Sequence, residues 1–214
     1  MKIASLRIAR LSSLVVLAVL SVFTAASAAL AAPHSTPVAE PPAPATAHTR
    51  QAPRYPFVID GVRYTPDQIS RFDGRDLYFT VDLAQPKRLV GYTKKTDFDA
   101  AVARLREPAN GTVTTLSAGQ YIQLYAGDEL TGDRLDVNSP WGINYLAGIN
   151  RGCGLFGCAG NWDNVASSIY VNGRVTVNDG IEYTGSWLYL SGVGWANLSW
   201  YGFDNITSSL NVWW

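Results

Sequence analysis

A ten-residue pattern occurs twice in this chain. Trp162-Asp163-Asn164-Val165-Ala166-Ser167-Ser168-Ile169-Tyr170-Val171 returns 41 residues later as Phe203-Asp204-Asn205-Ile206-Thr207-Ser208-Ser209-Leu210-Asn211-Val212. Aromatic, Asp, Asn, apolar, small, Ser, Ser, apolar, a variable position and Val match in order. Recurrence at a fixed period means that one supersecondary unit is built twice and that its copies bury their apolar faces together. Around the copies, Tyr121-Ile122-Gln123-Leu124-Tyr125 alternates apolar and polar residues, and Trp187-Leu188-Tyr189-Leu190 alternates aromatic and aliphatic ones. Short β runs broken by Gly, Asn, Asp and Ser predict an all-β sandwich over residues 119–214. Its two motifs are expected at about 119–173 and 174–214, with Trp187, Trp195, Trp200, Trp213 and Trp214 supplying buried area to a small core.

The polar half of the repeat has a chemistry of its own. Asp-Asn-x-x-Ser-Ser offers a carboxylate, an amide oxygen, hydroxyls and turn carbonyls within six residues. Calcium takes six to eight such hard oxygens and tolerates irregular geometry. The absence of sulfur and nitrogen donors disfavours zinc and copper. Six residues cannot surround a cation, so a second segment must close each site. The competing reading is that these residues only form turns and cap strand ends.

The duplicated turn resembles that of the βγ-crystallin family, whose calcium-binding members carry N/D-N/D-x-x-S/T-S once per Greek-key motif. A second family feature, an aromatic followed by six residues and Gly, stands at Tyr125 to Gly132. The second motif keeps Gly185 but has Asn178 in place of the aromatic. The resemblance implies a mainly β, two-Greek-key sandwich holding two Ca2+ ions in crossed sites. The side-chain ligands it implies are Asp163 or Asn164 with Ser167, and Asp204 or Asn205 with Ser208. The implied carbonyl ligands are those of Val165, Ile206, Ala126 and Asp179. With few carboxylates per site, binding is expected on the order of 10⁻⁴ to 10⁻⁵ M.

The N-terminal third reads differently. Lys2, Arg7 and Arg10 precede an apolar run from Leu11 to Phe23 and a small-residue zone at Ala25 to Ala32. This is the pattern of a cleaved export signal over residues 1–32, with no membrane span in the mature chain and an extracellular destination. A Pro- and Ala-rich linker, residues 33–56, holds both histidines, His34 and His48. It is expected to be extended and solvated. Residues 57–108 read as a small α+β module. Asp60-Gly61 marks a hairpin, Thr65-Pro66 opens a short helix, and Leu77 to Val81 and Leu89 to Tyr92 are strands. A helix from Asp97 to about Arg106 carries Phe98, Ala101, Val102 and Leu105 on one face. Asp73, Asp76 and Asp82 sit beside turns and are read as turn formers.

Charge and cysteine content narrow the function classes. Residues 50–111 hold 11 Lys and Arg against 8 Asp and Glu, whereas residues 119–214 hold 3 against 8. The acidic C-terminal part argues against nucleic-acid binding. Cys153 and Cys158 are the only cysteines; in an exported chain they are expected to pair in a disulfide closing a short loop. That loop presents Leu155 and Phe156, either to a partner or folded back on the core. An inhibitor or toxin-like function would reside there, and an extracellular protein or glycan is the class of partner left open. No histidine outside the linker, no Gly-x-Ser-x-Gly and no phosphate loop point to an enzyme, so a non-enzymatic role is expected.

Overall fold

The computed structural model describes residues 50–106, 121–137 and 141–213; the export signal, most of the linker with His34 and His48, and Trp214 lie outside the described residues. Asp60 and Gly61, at φ 49° and 83°, form the two-residue turn between β1 (Phe57–Ile59) and β2 (Val62–Tyr64). Positive φ at both central positions is what a right-twisted hairpin requires, and Asp-Gly supplies it at low cost. A 3₁₀ helix follows over Pro66–Phe72, its start fixed by the Thr65 N–H donating to the Gln68 side chain at 3.0 Å.

β3 (Tyr78–Asp82) and β4 (Leu89–Tyr92) are antiparallel, and β1 adds in parallel to β4. α1 (Lys95–Arg106) then crosses one face. It starts two residues before the expected Asp97, which brings Lys95 and Asp99 into an i,i+4 ion pair at 2.8 Å. Phe98 and Val102 are buried against Tyr78, Tyr92, Trp187 and Tyr189. Leu105, expected on the same face, is exposed. It lines the open cleft between α1, β3 and β4 instead. The Asp82 carboxylate accepts from the Ala84 N–H at 2.9 Å, as a turn former does.

The repeat region is mainly β: β5 (Tyr121–Tyr125), β6 (Arg134–Val137), the short pair β7 (Asn150–Arg151) and β8 (Gly160–Asn161), two eleven-residue strands β9 (Ser168–Asn178) and β10 (Trp187–Asn197), and β11 (Ser209–Val212). β9 and β10 pair along their whole length, yet each belongs to two neighbourhoods. The first half of β9 lies between β5 and the second half of β10, giving the order β6-β5-β9-β10. The second half of β9 lies between β11 and the first half of β10, and a bridge from Ile143 to Leu210 adds a segment of the first motif beyond β11. Each four-stranded set thus borrows one segment from the other motif, which is Greek-key exchange. Gly173 and Gly192, both at positive φ, face each other at the changeover. Two long strands passing between sheets must bend, and glycine there avoids the strain a side chain would add.

The segment before the repeat joins the same sheet. β3 pairs in parallel with the first half of β10, from Tyr78 opposite Trp187 to Asp82 opposite Ser191. An edge left open would expose unpaired backbone groups; β3 covers this one. The linker also ends earlier than its composition implies, because Pro53 is buried and the Arg54 N–H donates to the Trp200 carbonyl at 2.9 Å.

The core runs through both parts without a break, from Phe57, Ile59, Leu77 and Phe79 to Ile122, Leu124, Ile169, Val177, Leu188 and Leu210. The tryptophans contribute differently from expectation. Trp162 is buried, whereas Trp195 is 40% exposed and Trp187, Trp200 and Trp213 are half-buried. Trp195 stacks at a tilt on Trp200, with ring centroids 5.4 Å apart. The aromatic of the repeat fills the interior; the other described tryptophans except Trp141, which is 78% exposed, cover its flanks.

Candidate metal centre

The two repeat copies fold alike residue by residue. From Trp162 to Ile169, and again from Phe203 to Leu210, burial runs buried, half-buried, exposed, half-buried and then four buried residues. Asn164 and Asn205 both lie in the left-handed region, at φ 56° and 52°. Asparagine tolerates that region better than most side chains, which accounts for Asn as second residue in both turns.

The turns are held to each other reciprocally. The Asn164 N–H donates to the Thr207 carbonyl and the Asn205 N–H to the Ala166 carbonyl, both at 3.0 Å. The side chains cross in the same sense. The Ser167 hydroxyl donates to Asn205 Oδ1 at 3.3 Å, and the Ser208 hydroxyl to Asn164 Oδ1 at 3.5 Å. Each pair is joined by a third segment, since the Ser167 N–H bonds the Tyr125 carbonyl and the Ser208 N–H bonds the Asn178 carbonyl, both at 2.9 Å. One constellation therefore contains Asn205, Ile206 and Ser167 beside the Tyr125-Ala126 turn. The other contains Asn164, Val165 and Ser208 beside the Asn178-Asp179 turn. The turns therefore cross, Ser167 lying against Asn205 and Ser208 against Asn164.

The two serines of each copy are not equivalent, a distinction absent from the sequence reading. Ser168 is fully buried; it donates to the Gly127 carbonyl at 2.6 Å and accepts from the Leu130 N–H at 3.0 Å. Ser209 does the same with the Gly180 carbonyl and the Tyr183 N–H, at the same distances. These hydroxyls hold turns in which Glu129, Leu130, Glu182 and Tyr183 all have positive φ. The first serine reaches across to the other motif, while the second pins the turn of its own.

Two features fit a hard cation. Asp163 Oδ1 and Asp204 Oδ1 are both buried, and neither has a hydrogen-bond partner among the described residues. A buried unpaired carboxylate oxygen is costly unless a donor or a cation meets it. Among the described residues, no backbone N–H donates to the carbonyls of Ala126, Val165, Asp179 or Ile206, whereas the adjacent Ala166 and Thr207 carbonyls are paired. No group of three or more His, Cys, Asp or Glu that could hold a metal occurs among the described residues. Each constellation consequently offers neutral oxygens and fewer than three carboxylates, a donor set of hard oxygens that fits calcium. Asp163 Oδ2 accepts from its neighbour Asn164 Nδ2 at 3.1 Å, which keeps the first turn's two side chains together.

The turn at Asn178-Asp179, where the family's aromatic is replaced, differs from its counterpart. Asn178 is fully buried, and its side-chain amide has no partner among the described residues. The Asp179 carboxylate accepts from the Ser186 N–H at 2.6 Å. Burial holds its pKa above the ordinary carboxylate value, and the Ser186 N–H and the nearby Arg50 charge offset this only in part.

The Cys153–Cys158 disulfide is present and clamps a hairpin whose two-residue tip is Leu155-Phe156, flanked by Gly154 and Gly157 bonded to each other. Both tip side chains are fully exposed, at 99% and 105%, so the alternative in which they fold back on the core does not hold. With only two residues between the bridged glycines, the tip cannot return to the domain. The base of the hairpin is anchored by Arg151 on Asp133 at 3.1 Å. A separate cavity of about 450 Å³ lies between β3, β4 and α1, lined by Thr80, Asp82, Arg88, Tyr92 and Arg104 among others, and contains none of the repeat residues. No helix among the described residues is long and apolar enough to cross a membrane.

No protein-family model matches the chain, and no curated protein matches it. Solved structures of βγ-crystallin domains do. One, described as bearing on the evolution of the eye-lens βγ-crystallin domain fold, is 17% identical with a TM-score of 0.38, over 47% of this chain and 92% of that one. A βγ-crystallin from an archaeon is 19% identical with a TM-score of 0.35, over 45% and 100%. A βγ-crystallin from Ciona intestinalis is 24% identical with a TM-score of 0.34, over 44% and 99%.

Proposed function

We propose that this is a secreted calcium-binding module in which Ca2+ staples the two Greek-key motifs together. The observation that carries the reading is the reciprocal crossing of the two repeat turns, each placing an amide oxygen against a serine hydroxyl of the other motif. One ion would take Asn164 and Ser208 with the carbonyls of Val165 and Asp179, and the second Asn205 and Ser167 with those of Ile206 and Ala126. Asp163 and Asp204 lend each turn its negative charge. The ion supplies a positive centre that pairs oxygens the fold leaves unpaired, and the chain supplies preformed turns on opposite motifs. Because each ion draws on both motifs, it binds the folded state and not the separated strands. At free calcium about ten times the dissociation constant, one site stabilises the fold by about 1.4 kcal/mol. Export is supported by the N-terminal signal pattern and by the disulfide, which suits an oxidising compartment.

Calcium titration calorimetry of the full chain, with melting curves in millimolar calcium and in chelator, tests the proposal. Two bound ions and a raised melting temperature are expected, both lost in Ser167→Arg plus Ser208→Arg. A melting curve indifferent to calcium and to chelator overturns it.

The exposed Leu155-Phe156 tip favours a second reading, in which the fold is a scaffold and the clamped hairpin engages an extracellular protein, as an inhibitor or a toxin-like protein would. Leu155→Ser plus Phe156→Ser, assayed against secreted proteases and in protein and glycan capture, separates it from the first.

A further inference from the structure

The two turns that border the constellations follow the same path, and two of the four places where their sequences differ, Ala126 against Asp179 and Asp133 against Ser186, fall at one contact. Ala126 corresponds to Asp179 and Asp133 to Ser186, since the Ala126 N–H bonds the Asp133 carbonyl at 2.9 Å as the Asp179 N–H bonds that of Ser186 at 3.2 Å. In the first motif, Asp133 holds Arg151 at the base of the disulfide hairpin. In the second, Asp179 and Ser186 face the segment that precedes β1. Arg50 donates to the Ser186 hydroxyl at 2.9 Å, to the Phe72 carbonyl at 3.3 Å and to the Arg75 carbonyl. The same hydroxyl accepts from the Leu77 N–H at 3.1 Å, while the Ser186 N–H holds the Asp179 carboxylate. Ser186 is 1% exposed and Arg50 is half-buried beside it.

The next residue reaches the other constellation. Gln51 Nε2 donates to the Asp204 carbonyl at 2.7 Å, immediately before Asn205. A Cβ at Gly202 would run into the Gln51 carbonyl, so backbone meets backbone there and glycine is required. The corresponding first-motif residue, Asp163, has no such strap among the described residues.

We propose that Arg50 and Gln51 are positioning residues for the calcium turns, so that docking of the N-terminal segment sets calcium affinity. This rests on the calcium reading above. A turn that must be ordered when the ion arrives binds it more weakly than one held in place beforehand. Arg50 holds the Asp179 turn through Ser186, and Gln51 holds the Asp204 turn directly. The two residues therefore act on different sites: Arg50 on the one with Asn164 and Ser208, Gln51 on the one with Asn205 and Ser167. Linkage requires the reverse effect as well, so calcium tightens the docking of residues 50–56.

Single-site versions of the full chain test this by calorimetry. In Ser208→Arg, which leaves the Asn205 site, Gln51→Ala is expected to weaken calcium binding about three- to tenfold, the worth of one net hydrogen bond. In Ser167→Arg, which leaves the Asn164 site, Arg50→Ala is expected to do the same. Val81→Ala, a buried change in β3 away from both turns, lowers stability and leaves affinity unchanged. Hydrogen exchange at the Arg54 amide, which bonds to Trp200, slows when calcium is added. If neither single-site chain takes up millimolar calcium, the calcium reading fails and this inference with it. If both bind and the Arg50 and Gln51 variants shift affinity by less than about twofold, or Val81→Ala shifts it as much, the inference alone is overturned.

Discussion

Adjacent serines in each repeat copy should respond very differently to loss of the hydroxyl, and this holds whether or not calcium binds. Ser168 is fully buried and makes two bonds, donating to the Gly127 carbonyl at 2.6 Å and accepting from the Leu130 N–H at 3.0 Å. Ser168→Ala leaves both backbone groups without a partner. An unsatisfied buried polar group costs about 1–3 kcal/mol. Gly127 and Leu130 are only half-buried, so part of each penalty is relieved by solvent. The expected loss is therefore about 2–4 kcal/mol. Ser167 donates one long bond, 3.3 Å, to an exposed asparagine. Its loss should cost less than about 1 kcal/mol in chelator. Urea unfolding of the full chain in chelator, comparing Ser168→Ala and Ser209→Ala with Ser167→Ala and Ser208→Ala, measures the gap. Equal losses for neighbours, or a larger loss at Ser167 than at Ser168, would refute the assignment of turn-pinning to the second serine.

Three other expectations follow from named contacts. Asp179 has a raised folded-state pKa because burial outweighs Arg50 and the Ser186 N–H. The native carboxyl therefore takes up its proton before the unfolded one, and wild type gains stability over Asp179→Asn as pH falls from neutral through the folded pKa toward 4. Urea midpoints of the pair across that range check it, and a gap that is flat or widens the other way contradicts it. Gly185→Ala should cost about 1–3 kcal/mol, since φ is +75° and the new methyl meets the Asp179 carboxylate, and thermal unfolding measures this. Phe98→Ala should cost about 3–5 kcal/mol, because that ring is fully buried among Tyr78, Tyr92, Trp187 and Tyr189; chemical denaturation reads it directly.

Much of the candidate site was legible in advance because its parts are local. Asp-Asn with Ser-Ser must turn the chain and carry oxygens, and duplication implies a partner for each turn. The strand runs were legible from alternation, and the β1–β2 turn from Asp-Gly. Other features were hidden. Nothing in Ser167-Ser168 distinguishes the serine that crosses motifs from the one that stays, because the difference is set by which segment packs beside each. The tryptophans were misassigned for a related reason: composition shows large apolar rings but not what each meets in the folded chain, where Trp162 is buried and Trp195 stays at the surface. Residues 50–56 look like linker by composition, yet Pro53 is buried and the Arg54 N–H bonds Trp200, a partner that only the folded chain brings alongside.

The amino-acid sequence alone determined that two oxygen-rich turns recur on a β framework, since turn chemistry and strand alternation depend on residues within a few positions of one another. Only the tertiary structure decided that the turns interlock, that β3 completes the sheet beside β10, and that Arg50 and Gln51 reach across 136 and 153 residues of chain to hold the neighbouring turns. Those contacts join distant segments, and their energy comes from burial and geometry that exist only once the strands have paired.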